Sequence, residues 1–557
     1  MTLLGGGDVA TEQARAPRRR FRFHLELQDI VAGVSVAVVL IPQSLAYAQL
    51  AGFPAYRGLF AASIPPLVAA PFASSPYLQP GPTAISALLT YGALSPLAPL
   101  GSAHYIELGL LLALLVGVIR VAVGLLRAGV LAYLMSEPLL VGFVPAAAIL
   151  IVASQLPLAL GVHARGHNEL YRAGWAVVHI SDWQGAAIVI ALLVSAVLVL
   201  GKRVHPLFPG VLLAVAAATL YSKLTRYSGS TLGQIHAGLP PLTHSLPIGE
   251  FGRLIVPAFV IALLGFAEAA SIARTYAALE RKRWDANREF VSQGVANLAA
   301  GVFGGFPVGA SFSRSALNRL AGARTNMSGF VTGLAVLAFL PLGFLLGPLP
   351  QSVLAGAVIV AIVPLLRLDR IMEIARLSRV QLSIALTAFV LTLALAPHVE
   401  WAIIAAIALS VAIHLWRELR LDLVSSSEGD RLELIPEGVL WFATARLLED
   451  RLLELVAAHP DTRQLVIRLD RLGRIDLTGA LALKTLIGDA HAAGLSVSVE
   501  GLPAHSARIV HLVLGDIGHE SASGRSYETA SPSGHIPEGG SPEALGRTMR
   551  YRSYPRA

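Results

Sequence analysis

Two short stretches of this sequence carry the residue types from which an anion site can be built out of backbone alone. The first, Gly81-Pro82-Thr83-Ala84-Ile85-Ser86, follows a polar, proline-interrupted segment from Ser74 to Pro80. The second is Gly305-Phe306-Pro307-Val308-Gly309-Ala310-Ser311-Phe312-Ser313-Arg314. In each, glycine and proline favour extended backbone, and a helix-forming run follows. Proline suits the first turn of a helix because its missing N–H would be unpaired there, so one helix is expected to start at Pro82. Ser311 is expected to cap a second, running to about Arg319. The first N–H groups of a helix lack intrahelical partners and carry roughly half a positive charge, so two such ends facing each other hold an anion. The hydroxyls of Thr83, Ser311 and Ser313 add donors, and Arg314 adds a full cation. Either break alone reads equally well as a kinked span, and Arg314 could instead snorkel toward water or neutralise a carboxylate.

These stretches must be placed by something, and the composition says what. Of 557 residues, 55% are hydrophobic and only 14% charged, with a mean hydropathy of +0.65, which belongs to a lipid-embedded chain. A spanning helix needs about 20 mainly apolar residues. Leu108 to Leu126, Ala186 to Leu200, Leu254 to Ala273, Phe330 to Leu346 and Leu382 to Ala396 approach or meet that length. Counting shorter runs, about a dozen to fourteen spans are expected. Irregular backbone at membrane depth is tolerated only where protein buries it or it lines a cavity, and two such breaks in different halves mark a transporter-type site.

The net charge of +8 raises the question of nucleic acid, but its distribution answers it. Arg18, Arg19, Arg20 and Arg22, then Lys202 and Arg203, then Arg281, Lys282 and Arg283, then Arg367, Arg370, Arg376 and Arg379, and finally Arg417 and Arg420 sit at the ends of apolar runs. That is the positive-inside pattern, with both ends of the membrane block in the cytoplasm and no nucleic-acid partner. The absence of cysteine excludes thiolate metal sites and cysteine nucleophiles. Nucleotide-hydrolysing, zinc-protease and serine-hydrolase motifs are also missing, so an enzyme is not expected.

Glu268 is the one carboxylate placed well inside an apolar run, Leu264 to Ser271. An ionisable group at that depth is functional by default. It could take up a proton or a sodium ion with the anion, or form a fixed pair with Arg314. The Gly301, Gly305, Gly309 series reads as helix packing. No resident cofactor or metal is expected beyond that coupling ion.

The chain divides by composition. Residues 1–27 read as a cytoplasmic arm, 28–420 as the membrane block, and 421–430, with Ser425-Ser426-Ser427-Glu428-Gly429-Asp430, as a polar linker. Two less apolar stretches, about 161 to 182 and 223 to 251, read as external loops. Residues 431–517 alternate short apolar runs with helical ones, which implies an α/β domain. Residues 518–557 read as a disordered tail. Asp476 and Thr478 both fit the cap of a helix near Gly479, and phosphate on Thr478 would meet that helix end favourably.

Three groups of residues resemble the sulfate permease (SulP) group of anion transporters. They are Ile41-Pro42-Gln43-Ser44-Leu45-Ala46-Tyr47 through Pro54 and on to Gly58-Leu59-Phe60-Ala61, the run Asn287 to Gly329 with Asn297, Pro307 and Ser313-Arg314-Ser315, and Asp476-Leu477-Thr478-Gly479. The last resembles the turn of a cytoplasmic STAS domain. The resemblance implies a mainly α membrane protein with fourteen segments in two inverted repeats of seven, two of them half-helices, plus a cytoplasmic α/β STAS domain. It implies a core moving past a gate in an elevator-like manner, a homodimer, and an inner-membrane location. It also implies a substrate site made by Gln43, Tyr47, Thr83, Ala84, Gly309, Ala310, Ser311, Phe312, Ser313 and Arg314, with Glu268 coupling ion to anion and Thr478 regulatory. Thr83 departs from the bulky residue usual in relatives, which argues against a halide and leaves sulfate, bicarbonate or a dicarboxylate. Proton-coupled symport is the favoured expectation. Exchange, a channel of the same architecture, and a membrane sensor signalling through the soluble domain stay open.

Overall fold

The computed structural model describes residues 25–514 apart from 134, 167, 206–207, 236–237, 244 and 503–505. The expected arm before residue 25 and the expected tail lie outside the described residues. The chain forms two units, Met1–His414 and Leu415–Ala557.

The larger unit is helical. Its first half holds α1 (Leu27–Leu50), α2 (Tyr56–Ala69), strand β1 (Pro80–Gly81), α3 (Ala84–Leu94), α4 (Ala103–Leu125), α5 (Glu137–Leu160), α6 (Glu169–Val178), α7 (Gly185–Val204) and α8 (Gly210–Thr225). The second half holds α9 (Phe251–Leu279), α10 (Ala286–Val302), strand β2 (Gly309–Ala310), α11 (Phe312–Leu320), α12 (Met327–Phe339), α13 (Gln351–Ile362), α14 (Leu368–Leu377), α15 (Arg379–Ala394) and α16 (Val399–Glu418). Among the described residues, eight helical stretches are long and apolar enough to cross a membrane unaided. Others are shortened by prolines or by the two breaks.

α6 and α14, ten residues each, rise only about 15 Å and are too short to span, whereas the similarly short α3 and α11 are the two expected half-helices, each preceded by a ladder strand. Setting α6 and α14 aside leaves seven segments in each half, as expected. The packing repeats between the halves as well. α4 lies on α10 as α12 lies on α2, α5 on α15 as α13 on α7, and α3 on α9 as α11 on α1. Each of these pairs is the other with the halves exchanged, the signature of an internal repeat. α1 to α4 and α9 to α12 pack mainly among themselves, as do α5, α7, α8, α13 and α15.

Two expectations need correction here. The stretch 161 to 182 is not simply a loop, because it contains α6, whose Asn168 cap accepts the N–H groups of Leu170 and Tyr171. Nor is 421–430 a linker. Asp422–Glu428 is strand β3, paired antiparallel with β4 (Arg431–Leu440) through the turn at Gly429-Asp430. Its serines are exposed almost throughout, so an edge strand has the composition of a loop.

The smaller unit continues with α17 (Ala445–Ala458), β5 (Gln464–Arg468), β6 (Leu472–Ile475), α18 (Leu477–Ala492), β7 (Ser496–Glu500) and α19 (Ala507–Leu514). The sheet runs β3-β4-β5-β7, with β6 beside β4 and every pairing after β3–β4 parallel. Leu432, Leu434, Leu465, Ile467, Leu483 and Ile487 fill its core.

Candidate anion-binding site

The two breaks meet. β1 and β2 pair antiparallel, Pro80 with Ala310 and Gly81 with Gly309, so two segments more than 200 residues apart cross as a two-residue ladder. α3 and α11 begin immediately after it. α3 starts at Ala84 rather than Pro82, because Thr83 takes the cap. Its Oγ1 accepts the Ser86 N–H at 3.2 Å and lies 3.0 Å from the Ser86 hydroxyl. Ser311 occupies the equivalent position before α11, but its hydroxyl makes no cap bond. A Cβ added at Gly309 would come within 3.3 Å of the Ser86 hydroxyl, so glycine there keeps the ladder close to the start of α3.

Buried side chains fix both breaks. Arg314, with no solvent exposure, donates from Nη1 to the Pro82 carbonyl at 2.7 Å and from Nη2 toward that of Gln79 at 3.5 Å. It thus ties α11 to the opposite break, and its Nε has no partner. Asn297 treats the second break as a strand would. Its Oδ1 accepts the Val308 N–H at 2.9 Å, and its Nδ2 donates to the Val308 carbonyl at 3.0 Å and to that of Gln293 at 2.8 Å. Arg120 completes the grip, donating to Val308 at 3.0 Å and to Ile261 and Ala262 of α9 at 3.0 and 3.1 Å.

The expected site residues fall as follows. Thr83, Ala84, Gly309, Ala310 and Arg314 are buried at the crossing, while Phe312 and Ser313 are exposed at the start of α11. Tyr47 is buried on α1 within electrostatic reach of Arg314 and Glu268. Gln43, one turn earlier, has a buried Oε1 without a partner. Glu268 lies beside the backbone N–H of Phe312 and within reach of Arg314, but among the described residues the two form no ion pair. The fixed Glu268–Arg314 bridge is therefore not what holds this region. In the smaller unit, Asp476 caps α18 by accepting the Gly479 N–H at 2.7 Å. Thr478 makes no such bond and is exposed in the first turn.

Residues 27–388 match the sulfate permease family. The chain belongs to the sulfate permease family. This permease is 34% identical over 388 residues to a protein of Mycobacterium tuberculosis named as a probable sulfate transporter, covering 69% of each. Its fold matches that of SLC26A9, with a TM-score of 0.80 at 20% identity, covering 88% of this chain and 86% of that one. It also matches the transmembrane domain of a cyanobacterial bicarbonate transporter, BicA, with a TM-score of 0.61 at 24% identity, covering 70% and 98%. The permease is accordingly a membrane anion transporter with a mainly helical membrane unit and a C-terminal α/β unit.

Sequence reading passed over Arg120 and Ser86. Arg120 had an available signal: it is the only charge between Glu107 and Arg127 in an apolar 23-residue helix. The rule that marked Glu268 applies to it equally. Ser86 had none, since a serine in a helix's first turn is unremarkable until its neighbours are known.

Proposed function

We propose that this permease is a secondary active transporter that binds a small anion at the facing N-termini of α3 and α11 and moves it together with a proton. The observation that carries this reading is the position of Glu268. Its carboxylate lies beside the Phe312 N–H, the group that would otherwise face an anion. An ionised Glu268 and an anion compete for one helix end, and like charges this close repel strongly at low dielectric. Protonation removes that competition, so proton and anion load together. Tyr47 and Arg314 both lie within electrostatic reach of the same carboxylate. The hydroxyls of Ser313, Thr83 and Ser86 supply further donors around the same point.

The grouping of α1 to α4 with α9 to α12, apart from α5, α7, α8, α13 and α15, supports movement of the first set as a core against the second as a gate. The positive-inside clusters support cytoplasmic termini in a cell membrane. The Asp476 turn and the mixed sheet support a STAS-type domain, with Thr478 exposed where a modifying enzyme could reach it. A homodimer follows from the family resemblance. Sulfate, bicarbonate and small dicarboxylates all suit backbone donors.

Purified permease in liposomes, given labelled anion with and without an inward proton gradient, tests the reading. Wild-type uptake rises with the gradient. Glu268→Gln, which mimics the protonated state permanently, keeps uptake but loses its dependence on the gradient. Gradient-dependent uptake that persists unchanged in Glu268→Gln refutes the coupling.

A further inference from the structure

We propose that Arg120 is a second fixed positive charge of the anion site and biases the permease toward doubly charged anions over singly charged ones. This rests on the transport reading above and adds to it the charge of the cargo.

Arg120 has no solvent exposure, and its three hydrogen bonds all end on main-chain carbonyls, those of Ile261, Ala262 and Val308. Among the described residues no carboxylate pairs with it. The other deeply buried carboxylates of α1 to α4 and α9 to α12 are engaged elsewhere: Glu289 accepts the N–H groups of Ser74 and Ser75, and Asp29 accepts those of Arg324 and Thr325. Carbonyl dipoles solvate a guanidinium without cancelling its net charge, and arginine does not give up its proton in proteins. A buried, uncompensated cation is costly, and holding a backbone segment in place does not require one, since Asn297 grips the same Val308 with neutral groups.

Its position gives the charge a use. Val308, which it holds, immediately precedes Gly309 of the ladder. A Cβ at Gly265 would run into the Arg120 guanidinium and lie 3.7 Å from the Ser86 hydroxyl, so the cation is set beside the start of α3 and admitted by a glycine. The ionisable side chains around the crossing are then Arg120, Arg314, Glu268 and the phenol of Tyr47. With Glu268 ionised the fixed charge is one positive; with Glu268 protonated it is two. A dianion loaded with one proton leaves that region near neutrality, whereas a monoanion leaves a net positive charge. Two unit charges roughly 8 Å apart at an effective dielectric of about 20 change an equilibrium about 30-fold, and a dianion feels that factor twice where a monoanion feels it once.

The test is competition in liposomes containing full-length permease, with sulfate and oxalate as dianions and chloride and formate as monoanions. Wild type is expected to prefer the dianions. Arg120→Gln keeps neutral N–H donors for two of the three carbonyls but removes the charge, and is expected to lower the dianion-to-monoanion ratio of kcat/KM by about tenfold or more. Arg120→Lys keeps the charge and is expected to retain the wild-type ratio, whatever it does to the absolute rate. A purely structural role predicts that Arg120→Gln slows every anion by the same factor, and that result overturns the proposal. So does an unchanged ratio in Arg120→Gln, or a loss in Arg120→Lys equal to that in Arg120→Gln. If Arg120→Gln does not fold, the wild-type ratio decides: preference for the monoanions overturns the proposal. Wild type that moves none of these anions refutes the transport reading itself and this inference with it.

Discussion

Asn297→Ala isolates the device that holds the second break. The side chain makes three hydrogen bonds, but they are not equivalent when removed. The Gln293 carbonyl keeps its helical partner within α10, and the Val308 carbonyl keeps Arg120 Nη1 at 3.0 Å. The Val308 N–H, in a residue with no exposure, is left with nothing. An orphaned buried donor costs about 1–3 kcal/mol and the lost bonds about 1 kcal/mol more, a total of about 2–4 kcal/mol. Because the loss falls on one extended segment rather than on a helix interface, it acts first on the equilibrium between intact and displaced ladder. At 1.4 kcal/mol per tenfold, that equilibrium shifts about 30-fold or more toward the displaced ladder. Initial uptake at sub-saturating anion should fall by up to that factor in kcat/KM, while helix content by circular dichroism stays at the wild-type level and the thermal midpoint drops by only a few degrees. Uptake within twofold of wild type would show that the ladder does not need this clamp, and the account of the site would fail.

Two further outcomes follow from features away from the crossing. Glu169, in the non-spanning α6, is buried, and burial holds its carboxyl above the usual range despite its own backbone N–H and Arg172 nearby. The folded protein therefore binds this proton more tightly than the unfolded chain, so its contribution favours folding at low pH and is lost as pH rises through the carboxylate range toward the raised folded value. Glu169→Gln should raise the thermal midpoint at pH 8 and narrow the difference between pH 5 and pH 8; a lower midpoint at pH 8 would contradict the assignment. At the α1–α2 contact, a Cβ on Gly58 would collide with the Ser44 carbonyl, a backbone atom that cannot swing aside. Overpacking of this kind costs about 1–3 kcal/mol or more, so Gly58→Ala should reduce the yield of monodisperse protein on size exclusion, and wild-type yield with wild-type midpoint would refute the close approach.

Much of this architecture was legible because lipid imposes a simple code. α7 and α9 cover the apolar runs that announced them, since burial in hydrocarbon leaves a continuous compositional trace. The breaks were legible for the converse reason: glycine and proline interrupt that trace. What escaped was whatever depends on the choice of a particular partner. β3 looked like a linker because its bonding lies in the β4 backbone and its side chains face water. The start of α3 moved from Pro82 to Ala84 because the Thr83 hydroxyl takes the Ser86 N–H, a choice made by rotamer rather than residue type. That Arg314 would reach Pro82, or that Val308 would be shared by Arg120 and Asn297, needed the crossing of two halves of the chain.

The crossing of Pro80-Gly81 with Gly309-Ala310 also bears on how tightly cargo can be held. Because the two helix ends are stitched together by main-chain bonds and pinned by Arg314, Asn297 and Arg120, the ordering of that backbone is completed during folding. An arriving anion meets donors already aimed, so little of its binding energy goes into arranging them. Discrimination between similar anions then rests on charge and size against a rigid frame, and improving the fit of one anion at Thr83 or Ser313 should come at the expense of others.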